Sequence, residues 1–238
     1  GKGVNYAINE QGIKSLIAAA YLGQVETVKL LLDEVGKENI NPNTSMLFNL
    51  ALPGKHNSPD RQQLYTPLMM ACVRDDTEVV DLLLGCAQVE VNFMTGDFAS
   101  ALIVAAKLGS KTLVTKLLGH DKMNKEKNDQ GLRALHFAVE SGHNSVADLL
   151  LKSGLSETHS HLISPTSFVP IERYYYEEDT YKTTLMVAIE ANNTGIVKLL
   201  LNEPYGGPHI NDTNENIRTA LAVAAEHGRD EIIELLLA

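Results

Sequence analysis

The side chains with chemical reactivity are few, and they form no recognisable catalytic set. The chain has two cysteines, Cys72 and Cys86, and eight histidines. A cysteine beside a histidine can act as a nucleophile, and His159 and His161 can share a metal ion if a third ligand joins them. The sequence contains no glycine-rich phosphate loop, no metalloprotease helix signature and no nucleophile elbow. We therefore expect no enzyme, no metal site and no cofactor within these residues.

Composition narrows the class of protein further. Hydrophobic residues make up 44% of the chain, but aromatic residues only 5%, so the core must consist of aliphatic residues and alanine. Two cysteines suggest a reducing compartment, and no apolar run approaches the roughly 18 residues of a membrane span. A net charge of −10 opposes binding to nucleic acid or anionic lipid. We expect a cytoplasmic protein that binds no nucleic acid and does not insert into membranes.

An internal repeat organises the chain and positions these side chains. When the sequence is aligned on six leucines, the residue three places later is always alanine, and those fifteen and sixteen places later are always leucine. The aligned leucines are Leu16, Leu68, Leu102, Leu135, Leu185 and Leu221. The intervals between them are 52, 34, 33, 50 and 36 residues, so the underlying period is near 33 and two insertions interrupt it.

Each unit is predicted to be a helix, a tight turn and a second helix. Seven places after the leucine stand residues that tolerate a left-handed backbone, namely Gly23, Asp75, Gly109, Gly142, Asn192 and Gly228. Apolar stripes on both sides of this position are typical of short amphipathic helices. Two places before the leucine, four units carry a hydroxyl residue that can cap the first helix: Thr66, Ser100, Thr183 and Thr219. Lys14 and Arg133 occupy that place in the other two units and cannot cap it.

The motifs resemble those of the ankyrin repeat. Thr66-Pro67-Leu68-Met69 and Arg133-Ala134-Leu135-His136 are similar to its Thr-Pro-Leu-His start, and Gly142-His143 and Leu149-Leu150-Leu151 continue the pattern. A period near 33 also fits, whereas the tryptophan and tyrosine pattern of tetratricopeptide repeats is missing. The resemblance implies an all-α repeat solenoid of six ankyrin-type helix-turn-helix repeats with hairpin loops and two long insertions.

The resemblance also implies structural roles for the residues that could be reactive. Cys72 falls where other units have alanine, so it is expected in the core. His136 occupies the histidine place of the Thr-Pro-Leu-His motif, which implies a turn-stabilising role. The resemblance also implies that Asn92 occupies a position at which ankyrin proteins are substrates of an asparagine hydroxylase.

The predicted repeats span 10–34, 64–94, 96–128, 129–154, 181–211 and 215–238, and the insertions span 35–63 and 155–180. The apolar stretch at 46–52 in the first insertion is expected to form a helical turn or two. The second insertion contains Tyr174, Tyr175 and Tyr176, followed by acidic residues. Connections of this length are usually functional or disordered. The tyrosines form either a finger that grips a basic partner or a loop without a binding role.

The resemblance implies that a partner binds the concave face, which is lined by the residues three before and five or six after each aligned leucine. The predicted contacts, together with the three insertion tyrosines, are Tyr21, Leu22, Tyr65, Val73, Arg74, Lys107, Leu108, Glu140, Glu190 and Glu226. The early ones are mainly apolar and the late ones are acidic. We therefore expect a protein that is monomeric alone and binds a protein or peptide with an apolar anchor followed by basic residues. Freely varying exposed side chains are the alternative.

A second hypothesis concerns the wider protein. The chain ends at Leu237-Ala238 without the polar cap that a free repeat end needs. This ending favours a targeting or substrate-recruitment segment of a larger multidomain enzyme, or of a bacterial effector acting in a host cell.

Overall fold

A computed structural model of the 238-residue chain describes residues 2–36, 42–49, 62–95, 99–124, 129–154, 182–202, 210–213 and 217–238. These residues contain twelve helices and one two-stranded hairpin. The helices alternate in pairs, as expected for an all-α repeat solenoid. The chain divides into two compact units, Gly1–Asn124 and Lys125–Ala238.

Unit 1 contains three helix pairs and the hairpin. In chain order these are α1 (Lys2–Leu22), α2 (Val25–Gly36), β1 (Met46–Asn49), β2 (Gln62–Tyr65), α3 (Pro67–Val73), α4 (Thr77–Gly85), α5 (Ala101–Leu108) and α6 (Lys111–Gly119). The first helices of the pairs pack side by side, α1 against α3 and α3 against α5. The second helices form their own row, with α4 between α2 and α6.

Unit 2 contains the other three pairs. These are α7 (Asp129–Glu140), α8 (Asn144–Ser153), α9 (Thr184–Glu190), α10 (Thr194–Leu201), α11 (Ala220–Glu226) and α12 (Asp230–Leu237). Helix α9 packs between α7 and α11, and α10 packs between α8 and α12. Both units therefore have one row of first helices and one row of second helices.

The predicted turns are confirmed at all six positions. The backbone φ angle is positive at each of the six turn residues, between 53° and 77°. Asp75 and Asn192 adopt this conformation without being glycine, which short side chains that bond to the local backbone permit. The chain thus reverses direction at the same place in every repeat.

The predicted helix caps are also confirmed where a hydroxyl residue is present. The side chains of Thr66, Ser100, Thr183 and Thr219 accept hydrogen bonds of 3.2 to 3.3 Å from backbone N–H groups three residues later. The two units without such a residue differ, because α1 begins at Lys2 and α7 at Asp129. Lys14 and Arg133 therefore lie inside helices that start earlier than the repeat pattern predicts.

The core follows the repeat pattern. The six alanines that follow the aligned leucines are at most 2% exposed. In the leucine pairs, the first leucine is buried in the four inner repeats, at Leu83, Leu117, Leu150 and Leu200, but only partly buried in the first and last repeats. Cys72 is 0% exposed, which confirms its predicted core position.

The helical turn expected at 46–52 is wrong for residues 46–49, and residues 50–52 lie outside the described part of the chain. Met46–Asn49 is a strand that pairs antiparallel with Gln62–Tyr65, with Met46 opposite Tyr65 and Asn49 opposite Gln62. A short apolar run does not distinguish strand from helix by its own pattern. The pairing partner lies at the far end of the insertion, so the local sequence did not indicate it.

Candidate protein-binding surface

Four partly exposed apolar residues lie at the C-terminal ends of the first helices of unit 1. Leu22, Val73 and Leu108 are the last residues of α1, α3 and α5, and Tyr21 precedes Leu22. Leu22 is 56% exposed, and the other three are half-buried. We call Tyr21, Leu22, Val73 and Leu108 the apolar strip. The side-by-side packing of α1, α3 and α5 arranges it along one edge of this row of helices.

Tyr65 does not join this strip, contrary to the sequence prediction. Its side chain is only 1% exposed, because it ends β2 immediately before the cap of α3, and β2 packs against that helix. The residues three before the leucine are also buried in three other repeats, at Ile13, Ala99 and Leu132. Ile13 and Leu132 lie within α1 and α7. At these two residues a helix replaces the hairpin that the ankyrin resemblance implies. The position three before the leucine is therefore not on the surface there.

Two cations flank the apolar strip. Arg74 is exposed and Lys107 is half-buried in the last turn of α5. A Cβ atom placed on Gly23 would lie 3.2 Å from Nε of Arg74, so the guanidinium rests against the residue that follows Leu22. The cation of the second repeat therefore lies beside the residue that follows the exposed leucine of the first.

The acidic positions of unit 2 are not equivalent. Glu190 forms an ion pair of 2.8 Å with Lys182, eight residues earlier. Glu226 pairs in the same way with Arg218, also eight residues earlier. Glu140 is exposed, and the residue eight before it is the buried Leu132. The sequence prediction counted three available carboxylates, but two are ion-paired within their own repeats, whereas Glu140 forms no ion pair with the residues that the structure describes.

Contacts between neighbouring repeats were not predicted. In unit 1, Ser110 donates a hydrogen bond to Asp75, and Lys116 pairs with Asp81 at 2.7 Å. In unit 2, Asn193 bonds Asn144 at 2.5 Å, and Nη2 of Arg229 donates to the carbonyl of Glu190 at 3.1 Å. The bonded residues lie between 35 and 49 positions apart, which is close to the interval between the two repeats that they join. The repeat alignment therefore contained a signal for these contacts.

Two asparagines bridge the loops of unit 1. The Asn92 amide donates to the carbonyl of Lys122 at 2.7 Å, and its oxygen accepts from the N–H of Asn124 at 2.9 Å. Asn43 makes the same pair of bonds, both 2.8 Å, to Gln88 and Glu90. Asn92 is therefore a structural bridge between adjacent loops, and Asn43 was missed because it lies in the insertion.

The reactive residues do not converge on a site in the part of the chain described. Burial raises the pKa of the Cys72 thiol far above its usual value, and the charge of Asp75 adds to the effect. Burial also lowers the pKa of His136 to about 4, with smaller contributions from Lys182 and Arg133. No group of three metal-ligating side chains occurs among the described residues. His159, His161 and Tyr174 to Tyr176 lie outside these residues.

Among the described residues, no helix combines the length and the apolar character needed to cross a membrane.

The helix pairs and their turns define a class of protein. A family model described as ankyrin repeats (3 copies) matches residues 2–94, 68–160 and 168–238. The chain therefore belongs to the ankyrin repeat family, whose repeats form a non-catalytic module that generally mediates protein–protein interaction.

Two individual proteins are similar to this chain. The chain is 29% identical over 182 residues to the nuclear factor NF-kappa-B p105 subunit of Gallus gallus, a match that covers 75% of this chain and 17% of that protein. The crystal structure of the ankyrin repeat domain of Bcl-3, described as a unique member of the IkappaB protein family, matches with a TM-score of 0.67. That match covers 94% of this chain and 84% of the other at 22% identity, so it concerns the fold.

Proposed function

We propose that this chain binds a partner protein or peptide through the apolar strip of unit 1 and has no catalytic activity of its own. The observation that carries the proposal is Leu22, a leucine that is 56% exposed at the end of a first helix. Tyr21, Val73 and Leu108 extend the exposed apolar area beside it. A contiguous exposed apolar patch usually marks a contact surface.

The energetics favour Leu22 as an anchor. Full burial of a leucine side chain contributes about 1.5 to 3 kcal/mol, and more than half of this side chain is still in contact with water. A partner that covers it therefore gains about 1 kcal/mol or more from this residue alone. An aspartate at the same place would lose that gain and would bury an unpaired charge.

The test uses two exposed leucines of the first repeat. After a partner has been captured and purified, its affinity is measured by calorimetry for Leu22→Asp and for Leu30→Asp. Leu30 is 69% exposed on α2, in the row of second helices, so it is a matched control outside the apolar strip. We expect a loss of about tenfold or more for Leu22→Asp and no change for Leu30→Asp. Equal affinities for both variants would refute the proposed surface.

Unit 2 offers a separate contact. We propose Glu140 as its main carboxylate toward a basic segment of a partner, with Glu190 and Glu226 contributing less because each is already ion-paired. Tyr174, Tyr175 and Tyr176 are proposed as additional contacts on the sequence argument alone. Partner affinity that survives both Glu140→Gln and replacement of the three tyrosines by serine would refute this part.

A second candidate function is recruitment within a larger protein. The chain spans 17% of the length of the Gallus gallus relative, which supports the view that such repeats occur beside other domains. We propose an intracellular, cytoplasmic setting because both cysteines are free. The sequence of the full transcript tests the first point, and fractionation of cells tests the second.

A further inference from the structure

Arg74 is an available cation at the edge of the apolar strip. It is exposed, and within the described part of the chain its guanidinium forms no ion pair or side-chain hydrogen bond. Its Nε and Nη2 atoms lie 3.2 and 3.4 Å from the position that a Gly23 Cβ would occupy. The planar, permanently charged group thus lies against Gly23, the residue that follows Leu22, and its donors have no partner among the described residues.

The neighbouring carboxylates are already engaged. Asp76 Oδ1 accepts the N–H of Val79 at 3.1 Å and caps α4, and Asp75 accepts a hydrogen bond from Ser110. Asp76 Oδ2 faces the same side of Gly23 as Arg74 but makes no ion pair with it. Lys107 adds a second positive charge at the end of α5. Within the described part of the chain, the two carboxylates beside the apolar strip each accept a hydrogen bond, whereas the guanidinium of Arg74 has no hydrogen bond or ion pair.

We propose that the apolar strip binds a partner segment in which a carboxylate lies beside an apolar side chain, with the carboxylate bound by Arg74 and the apolar group packed on Leu22 and Val73. The inference rests on the proposed function and specifies the chemistry of its partner. It differs from the sequence prediction, which expected a basic partner from the glutamates of unit 2. In unit 1 the charged group beside the apolar strip that makes no hydrogen bond or ion pair to the described residues is the cation Arg74.

The geometry suits a short segment. An arginine can bind a carboxylate with two parallel hydrogen bonds, which adds direction to the charge attraction. On a helical partner an acidic residue three or four positions from a leucine lies on the same face, and on an extended partner the spacing is two. Either arrangement places a carboxylate next to an apolar side chain, as Arg74 beside Leu22 requires.

The test is a selection from a random peptide library displayed on phage, with the purified full chain as bait. The enriched peptide is synthesised in its selected form and with each Asp or Glu replaced by Asn or Gln. Its affinity is then measured for the unmodified chain and for Arg74→Gln, Arg74→Glu, Leu22→Asp and Lys198→Glu. Lys198 is an exposed residue of α10 in unit 2, and its ion pair with Glu231 is exposed, so Lys198→Glu is a control with the same charge change as Arg74→Glu at a residue outside the unit that carries the apolar strip. Circular dichroism verifies that every variant is folded.

We expect enriched peptides to carry an acidic residue close to a large apolar one. Arg74→Glu should weaken binding about tenfold and Arg74→Gln less, while Lys198→Glu leaves the affinity unchanged. Neutralising the peptide carboxylate should remove the difference between the unmodified chain and Arg74→Gln.

Peptides that need Leu22 but are basic, or that bind Arg74→Glu as well as the unmodified chain, would overturn this inference and leave the proposed function standing. If no enriched peptide depends on Leu22, both are overturned.

Discussion

Shortening Leu150 to alanine should destabilise unit 2 far more than the same change at Leu236. Both residues are the first leucine of the pair in the second helix of their repeats. Leu150 is 0% exposed in α8, whereas Leu236 is partly exposed in α12. Within unit 2, α12 packs against α10 and α11. The two sites therefore differ in burial but not in their place within the repeat.

The magnitude follows from the atoms removed. A leucine to alanine change removes three carbons, which cost about 0.8 kcal/mol each when they are fully buried, or about 2.4 kcal/mol together. The cavity that remains raises the total toward the range of about 2 to 5 kcal/mol for buried leucines. At Leu236 part of the side chain is already hydrated and no closed cavity forms, so we expect a cost of about 1 kcal/mol.

Urea unfolding followed by far-ultraviolet circular dichroism measures both variants, since the chain has no tryptophan to serve as a fluorescent probe. Hydrogen exchange, resolved by peptide, assigns the lost stability to individual helices. Leu117→Ala, at a residue that is 0% exposed in α6, is the equivalent buried change in unit 1.

The reasoning predicts large losses for Leu150→Ala and Leu117→Ala and a small loss for Leu236→Ala. Equal losses at all three residues would refute it, because stability would then be shared by the whole chain instead of depending on neighbouring repeats.

Three further predictions concern single residues. Because burial, together with the charges of Lys182 and Arg133, lowers the folded-state pKa of His136 from 6.5 to about 4, the unfolded chain takes up a proton first as pH falls. The free energy of unfolding should therefore fall by about 3 kcal/mol between pH 6.5 and pH 4, and His136→Asn should remove that part of the pH dependence in urea titrations. Thr183→Ala should lower the free energy of unfolding by about 1 kcal/mol because α9 loses its cap, whereas Thr183→Ser should leave it almost unchanged. Equal changes in melting temperature for the two variants would contradict the role of the cap. Ile217 has a φ of 57°, which strains a β-branched residue, and it is 82% exposed. Ile217→Asn should therefore raise the free energy of unfolding by about 1 kcal/mol, because asparagine tolerates this backbone conformation. A lower melting temperature for this variant would contradict the strain.

The sequence predicted those features that depend on local residue types. The turn at Asn192 requires a residue that tolerates a positive φ, and the cap at Ser100 requires a short hydroxyl side chain, so both were apparent from the repeat alignment. The burial of Cys72 followed from its place in a row of alanines. These requirements are met by neighbours within a few positions, which is why a periodic pattern reveals them.

Features that depend on distant residues were not predictable in this way. Tyr65 was assigned to the surface from its place in the repeat, but its strand pairs with Met46–Asn49 of the insertion, and its side chain is buried. Glu190 and Glu226 appeared to be free carboxylates, although each has a cation eight residues earlier that folding brings beside it. Arg74 was expected at the surface and is exposed, but its position against Gly23 depends on how two repeats pack.

The side chains that join neighbouring repeats give each repeat a fixed position in the chain. Asp75 accepts a hydrogen bond from a serine, Asn144 from an asparagine, and the carbonyl of Glu190 from an arginine. Each of these three junctions between neighbouring repeats therefore uses a different pair of groups. Exchanging two repeats would place a hydrogen-bonding group opposite one that does not match it. The copies share one architecture, yet they are not interchangeable, and a shortened or rearranged chain would have to rebuild every junction that the rearrangement creates.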